Sequence, residues 1–358
     1  MASLATPKIS KAESVYGGVK LTWNKVSGAA KYRVYYKGRK GWTRMVDTTS
    51  TSYIDKDVSS GRNYTYTVRC ISADGKSFTS GYDSKGTTVK YIATPEISKL
   101  ENVNGGVKIS WGKVSGATKY RVYYKGSKGW TRMVDTTSTS YIDKDVSSGR
   151  NYTYTVRCIT SDAKKFTSGY NPTGKSVKYV ATPKISKTEV TYDGVKLTWN
   201  KVAGAEKYRV YYKDGEGWNK LADTTGNSYL DMGLVSRELS IKDNSVNGQY
   251  IYTVRCISSN GKVFQSGYDT KGSKANLGNE CPEIVRVDSM HGGITVSWTD
   301  VCEDNSKYRI YVKEKGSWKK LADTTNNYYT HKNVKAGQTY TYTCLLYTSD
   351  AADDTPCV

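Results

Sequence analysis

Apolar and polar residues alternate in short runs along the chain. Val19-x-Leu21-x-Trp23, Tyr32-x-Val34-x-Tyr36 and Tyr64-x-Tyr66-x-Val68-x-Cys70 each have a period of two, the pattern of a strand with one buried face. Turn formers separate them: Gly17-Gly18, Ser27-Gly28, Gly38 to Gly41, Ser59-Ser60-Gly61 and Asp74-Gly75. Gly and Asp-Gly supply the backbone conformations that tight turns require. Short strands at this spacing predict an antiparallel sandwich, with Trp23 in phase with Val19 and Leu21 and therefore in its core.

The pattern recurs. "VKLTWNKVSGAAKYRVYY" begins at Val19, "VKISWGKVSGATKYRVYY" at Val107, "VKLTWNKVAGAEKYRVYY" at Val195 and a weaker version at Ile294. The anchoring residues Trp23, Trp111, Trp199 and Trp298 follow one another after 88, 88 and 99 residues, the longer step reflecting an insertion around Met232–Asn247. From Lys31 to Ile71 and from Lys119 to Ile159 the first two units differ only at Arg39 and Ser127, the mark of a recent duplication. A period near 88 is too long for a solenoid and suits an independently folding domain.

Trp23 on the second strand, "KYRVYY" on the third, Trp42 on the next, "TSYIDKDVSSGRNYTYTVRC" from Thr51 and the opening Pro7 together resemble a fibronectin type III domain. Val58-x-x-Gly61-x-x-Tyr64 is similar to the tyrosine corner before strand F, and recurs at Val146/Gly149/Tyr152 and Val334/Gly337/Tyr340. Unit three departs from it, its Val246/Gly248/Tyr250 being compressed. The resemblance implies an all-β tandem array of antiparallel Greek-key β-sandwiches of the fibronectin type III or immunoglobulin-like kind. Its units would be 1–92, 93–180, 181–278 and 279–343. It implies a fold and no particular activity.

The string from Cys344 to Asp354 and on to Val358 resembles a translated sequencing adapter, so it is set apart from the functional reading. On that reading the fourth unit loses most of strand F, which would begin at Tyr340, and all of strand G. The accidental alternation of Tyr340, Tyr342, Cys344 and Leu346 would still draw some of the tail into a strand. The start, "MASLATPKIS", aligns with the junction "YIATPEIS" and reads as a cut through a longer array. Junctions at Val89–Ser98 and Val177–Ser186 hold no Gly/Ser-rich linker, which predicts a semi-rigid, monomeric rod.

Composition narrows the chemistry. The 358 residues carry 54 Lys and Arg against 33 Asp and Glu, a formal charge of +21, and 32 Tyr with 8 Trp against 3 Phe. The four units carry +10, +9, +4 and +1 and the residues after Thr343 carry −3, so the positive charge is concentrated in the first two. No apolar stretch of about 18 residues is present to span a bilayer, so membrane insertion is not expected. Nucleic-acid binding needs a groove or recognised fold beyond charge, and is not expected either. Histidine occurs only at His291 and His331. Both read as solvated, and no acid, base or nucleophile recurs beside them to make an enzyme. No Cys-x-x-Cys pair points to zinc, and no cofactor is implied.

Two groups of residues stand out. Cys70, Cys158 and Cys256 are in phase with core valines and should be buried, inert thiols. Cys281 and Cys302 have no counterpart in the other units. The resemblance brings them to one pole of the fold, which makes them a candidate disulfide, with separate thiols as the alternative. The second group is the outward phase of strands C, C′ and F: Arg33, Tyr35, Trp42 and Arg69, then Arg121, Tyr123, Trp130 and Arg157, then Arg209, Tyr211, Trp218 and Arg255. Aromatic platforms flanked by cations stack sugar rings or hold polyanions. The competing reading is a solvated face whose Tyr and Arg cover one another.

These observations predict a non-catalytic spacer and adhesion arm of a secreted or cell-wall-attached bacterial protein. Its partners would be anionic wall polymers, polysaccharide or other surface proteins. The rival is a carbohydrate- or polyanion-binding array on the Tyr35/Trp42 face, appended to an enzyme outside this sequence.

Overall fold

The computed structural model describes residues 3–191, 194–213, 217–232, 249–276, 282, 284–299, 307–314 and 317–347. In the first repeat β1 (Ile9–Val15), β2 (Gly18–Trp23) and β5 (Ser52–Asp55) form one sheet in the order β1-β2-β5. A second sheet, in the order β4-β3-β6-β7, holds β3 (Lys31–Gly38), β4 (Gly41–Thr48), β6 (Asn63–Ile71) and β7 (Thr87–Lys90). All neighbours are antiparallel. The chain changes sheet after β2, β4 and β5, which is the Greek-key sandwich of fibronectin type III and immunoglobulin-like domains.

Repeat two reproduces this with β8 (Ile97–Val103), β9 (Gly106–Trp111) and β12 (Ser140–Asp143) facing β10 (Lys119–Gly126), β11 (Gly129–Thr136), β13 (Asn151–Ile159) and β14 (Lys175–Lys178). In repeat three β15 (Ile185–Thr191), β16 (Gly194–Trp199) and β19 (Ser228–Asp231) face β17 (Lys207–Lys213), β18 (Trp218–Thr224), β20 (Gln249–Ile257) and β21 (Ser273–Asn276). Repeat four has β22 (Ile284–Met290), β23 (Gly293–Trp298) and β26 (Tyr328–His331) against β24 (Lys307–Glu314), β25 (Ser317–Thr324) and β27 (Tyr342–Tyr347). The chain divides into two compact units, residues 1–102 with 106–179 and residues 103–105 with 180–358.

The alternation read from the sequence becomes the core. Val19, Leu21, Trp23, Tyr32, Val34, Tyr66, Val68 and Cys70 are buried together between the two sheets. Trp23 meets Tyr32 edge-on with ring centroids 5.7 Å apart, and the pair recurs as Trp111–Tyr120, Trp199–Tyr208 and Trp298–Tyr308. Truncating such a Trp to Ala costs about 3–5 kcal/mol, a large share of the ~5–15 kcal/mol that holds a domain. Tyr32 stays satisfied because its hydroxyl accepts the Val26 amide at 2.9 Å.

The tyrosine corner forms where its motif is intact. Ser59 N–H donates to the Tyr64 hydroxyl at 2.7 Å, Ser147 N–H to Tyr152 at 2.7 Å, and Lys335 N–H to Tyr340 at 2.8 Å. Gly61 has φ +87°, a left-handed turn that glycine adopts without strain. Residues 233–247 of the unit-three insertion, Val246 among them, and Gly248 lie outside the described residues. So do Cys281 and Cys302.

The C-terminal strand departs from the expected start. It begins at Tyr342, not Tyr340, and pairs Ile310 with Cys344 across β24. Cys344 and Leu345, the first residues of the adapter-like string, are buried.

His331 corrects the sequence reading. It is buried at 6% exposure, with Nδ1 3.0 Å from the Tyr342 hydroxyl. Alignment of the repeats puts it at the position of Asp55, Asp143 and Asp231, which are also buried and accept hydrogen bonds from Tyr66, Tyr154 and Tyr252.

Candidate functional site

The outward face of the second sheet is built by register. Arg33 stands opposite Asp47 on β4 and opposite Arg69 on β6. Its guanidinium grips Asp47 through Nε at 2.6 Å and Nη2 at 2.7 Å, and Nη2 also reaches the Gly75 carbonyl at 2.9 Å. Arg44 adds a bond to the same carboxylate at 2.7 Å. The Arg33 hydrogen bonds hold Asp47 below the usual carboxylate range, and Asp47 in turn raises the Arg33 pKa. Arg121–Asp135 and Arg209–Asp223 repeat the bidentate pair, Asp223 lying at about 2 because of Arg209 and Lys220. These three arginines, read from the sequence as part of a basic face, are therefore mostly neutralised where they stand.

Arg69 behaves differently. Its guanidinium lies over the Phe78 ring at 3.8 Å and near the Tyr82 ring at 5.6 Å, while Nε donates to the Ser80 carbonyl at 2.6 Å. Arg157 and Arg255 each lie 3.8 Å from Phe166 and Phe264. Trp42 meets Tyr82 edge-on at 6.4 Å and 81°, and the Lys37 ammonium lies 5.8 Å from the Trp42 ring. The Trp130–Tyr170 and Trp218–Tyr268 corners are 6.4 Å at 76° and 6.2 Å at 80°. Lys125 and Lys213 approach their tryptophans at 5.9 and 6.0 Å.

The loop carrying Phe78 and Tyr82 is tied to β6. Thr67 Oγ1 donates to the Asp83 carbonyl at 2.9 Å, Thr79 N–H to the Cys70 carbonyl at 3.0 Å, and Cys70 N–H to the buried Ser80 hydroxyl at 2.9 Å. Gly86 makes room for the indole, since a Cβ there would stand 2.7 Å from Trp42 Cη2. In repeat three Tyr211, Trp218, Thr253, Arg255 and Tyr268 line a cleft of about 170 Å³. Tyr35, Trp42, Thr67, Arg69 and Tyr82 are their counterparts in repeat one, and Tyr123, Trp130, Thr155, Arg157 and Tyr170 in repeat two. Repeat four keeps Tyr311 and Trp318, but Leu345 stands opposite Arg309 where the others have an arginine.

Sequence reasoning missed Phe78 and Tyr82 because they sit in a loop with no periodicity. The signal was there, since Phe-x-Ser-Gly-Tyr recurs at Phe78–Tyr82, Phe166–Tyr170 and Phe264–Tyr268. Cys70, Cys158 and Cys256 are free and fully buried, and burial pushes the thiols of Cys158 and Cys256 up to about 11. Among the described residues no group of three His, Cys, Asp or Glu could hold a metal ion, and no helix is long and apolar enough to cross a membrane.

No family model matches the chain. Exoglucanase B of Cellulomonas fimi is 26% identical over 296 residues, 74% of this chain and 25% of that protein, so the chain spans about a quarter of its relative's length. Among solved structures, the FN1–FN3 domains of chicken CNTN1 align at 17% identity and a TM-score of 0.24, over 76% of this chain and 98% of that one. The chicken interferon gamma receptor alpha chain aligns at 12% identity and a TM-score of 0.28, over 49% and 98%. The fold assignment stands on the strand order itself.

Proposed function

We propose that the chain is a non-catalytic spacer and adhesion arm of a secreted or cell-wall-attached bacterial protein, presenting or tethering other modules. The observation that carries this reading is the junction between repeats one and two, inside the first unit. The Ser60 hydroxyl donates to the Ser115 carbonyl at 2.8 Å and accepts the Ala93 amide at 2.9 Å, so one side chain bridges repeat one, the connector and repeat two. Ser14 Oγ accepts the Ile92 amide at 3.1 Å. Gly116 approaches Gly61 so closely that a Cβ on it would lie 2.9 Å from the Gly61 Cα. A connector held at so many points keeps two modules at a set distance, as a spacer must.

The similarity to Exoglucanase B, of which the chain matches a quarter, supports modules attached to a larger extracellular protein that acts on polysaccharide. Incubation of the chain with cellulose, xylan and chitin should release no reducing ends above a blank. Turnover of any of them would overturn the non-catalytic reading.

A further inference from the structure

We infer that the Trp–Tyr corners of repeats one to three bind an acidic polysaccharide, each corner taking one pyranose ring that carries a carboxylate. This goes beyond the spacer reading and stands independently of it.

Three observations carry it. The first is that the corner survives divergence around it. Gly38-Arg39-Lys40 of repeat one becomes Asp214-Gly215-Glu216 in repeat three, yet the Trp–Tyr distance changes only from 6.4 to 6.2 Å. A merely solvated face has no need of that constancy.

The second is shape. Two rings at 76–81° form a corner in which a sugar lays its apolar C–H face on one ring and an edge against the other. The cleft of about 170 Å³ is smaller than the ~300–1,000 Å³ of sites for drug-sized ligands and admits one ring. Its walls are fixed by the Thr253, Gln265 and Ser266 bonds, the counterparts of those made by Thr67, Thr79 and Ser80 in repeat one, so little ordering cost falls on binding.

The third is charge complementarity. Arg33 and Arg44 are both engaged by Asp47, whereas among the described residues no carboxylate pairs with Arg69, Lys37 or Lys125. In repeats one and two the positive charge left on this face therefore flanks the aromatic corner. A neutral glycan would leave those cations unpaired, and a polyanion without rings would leave the corner empty. Recurrence of the corner along one chain suits a polymer, because weak sites on a shared ligand reinforce one another.

Affinity electrophoresis of the full chain in polygalacturonate, in dextran and in polyphosphate tests this. Polygalacturonate should retard the protein most. Tyr82→Ala/Tyr170→Ala/Tyr268→Ala, all in loops outside the strands, should weaken that binding by about tenfold, roughly 1.4 kcal/mol, while the three Tyr→Phe changes retain it. Lys37→Gln/Lys125→Gln/Lys213→Gln, which leaves the rings in place, should also weaken it. Failure to bind polygalacturonate, dextran binding of equal strength, or polyphosphate binding of equal strength that the Tyr→Ala changes leave untouched would overturn the proposal.

Discussion

The Tyr342 hydroxyl lies 3.0 Å from His331 Nδ1, at the place where Tyr66, Tyr154 and Tyr252 meet buried carboxylates in the other repeats. An imidazole has replaced an aspartate in the same hole. Burial lowers the His331 pKa, with Lys319 adding to the effect and Glu314 opposing it, and burial pushes the Tyr342 hydroxyl up to about 12.

A histidine whose folded pKa is depressed binds fewer protons folded than unfolded. Its contribution to stability is therefore present above the unfolded value of about 6.5 and is lost as pH falls below that value toward the folded pKa. Repeat four should weaken on mild acidification through this group, and His331→Asp should remove that dependence between about pH 5 and 7. An NMR titration should place His331 below 6.5 in the folded chain. A midpoint at or above 6.5 would contradict its burial as a neutral ring.

Cys70, Cys158 and Cys256 should resist alkylation in the native protein at neutral pH. They lie in the core, and the reactive thiolate is disfavoured there by burial. Peptide mapping after iodoacetamide treatment should find all three modified only after denaturation. Rapid native labelling of any of them would mean that its sandwich opens locally.

Ala163 occupies the turn position that Gly75 and Gly261 hold in repeats one and three, at φ 62°. A left-handed residue with a Cβ costs about 1–2 kcal/mol, partly offset by the greater unfolded-chain entropy of glycine. Ala163→Gly should stabilise repeat two by about 1 kcal/mol, read as slower amide exchange across β13. Unchanged or faster exchange there would show that the turn carries no such strain.

The period-two runs placed the strands well because each sandwich buries one face of every strand, and Trp23, Val34 and Val68 show that face directly. The tyrosine corner was legible because its glycine and tyrosine act within one turn. The pairing of Arg33 with Asp47 was not, since it depends on a hairpin register that shifts between Val34 and Tyr35. His331 was misread because its burial follows from alignment with Asp55, and an aspartate in a core is itself unexpected from composition. At the candidate site, Trp42 and Arg69 came from strand phase, while Tyr82 came from a loop whose position is set by the Thr67 and Ser80 hydrogen bonds.

The junction bonded through Ser60 should hold repeats one and two at a set distance. Nitroxides attached through ketone-bearing residues at the exposed positions Lys40 and Lys128 leave the native cysteines untouched and report that distance by pulsed electron resonance. The chain should give one narrow distribution, and Gly116→Val, which drives a side chain into Gly61 and Ile92, should broaden it. A broad distribution in the unaltered chain would contradict the account.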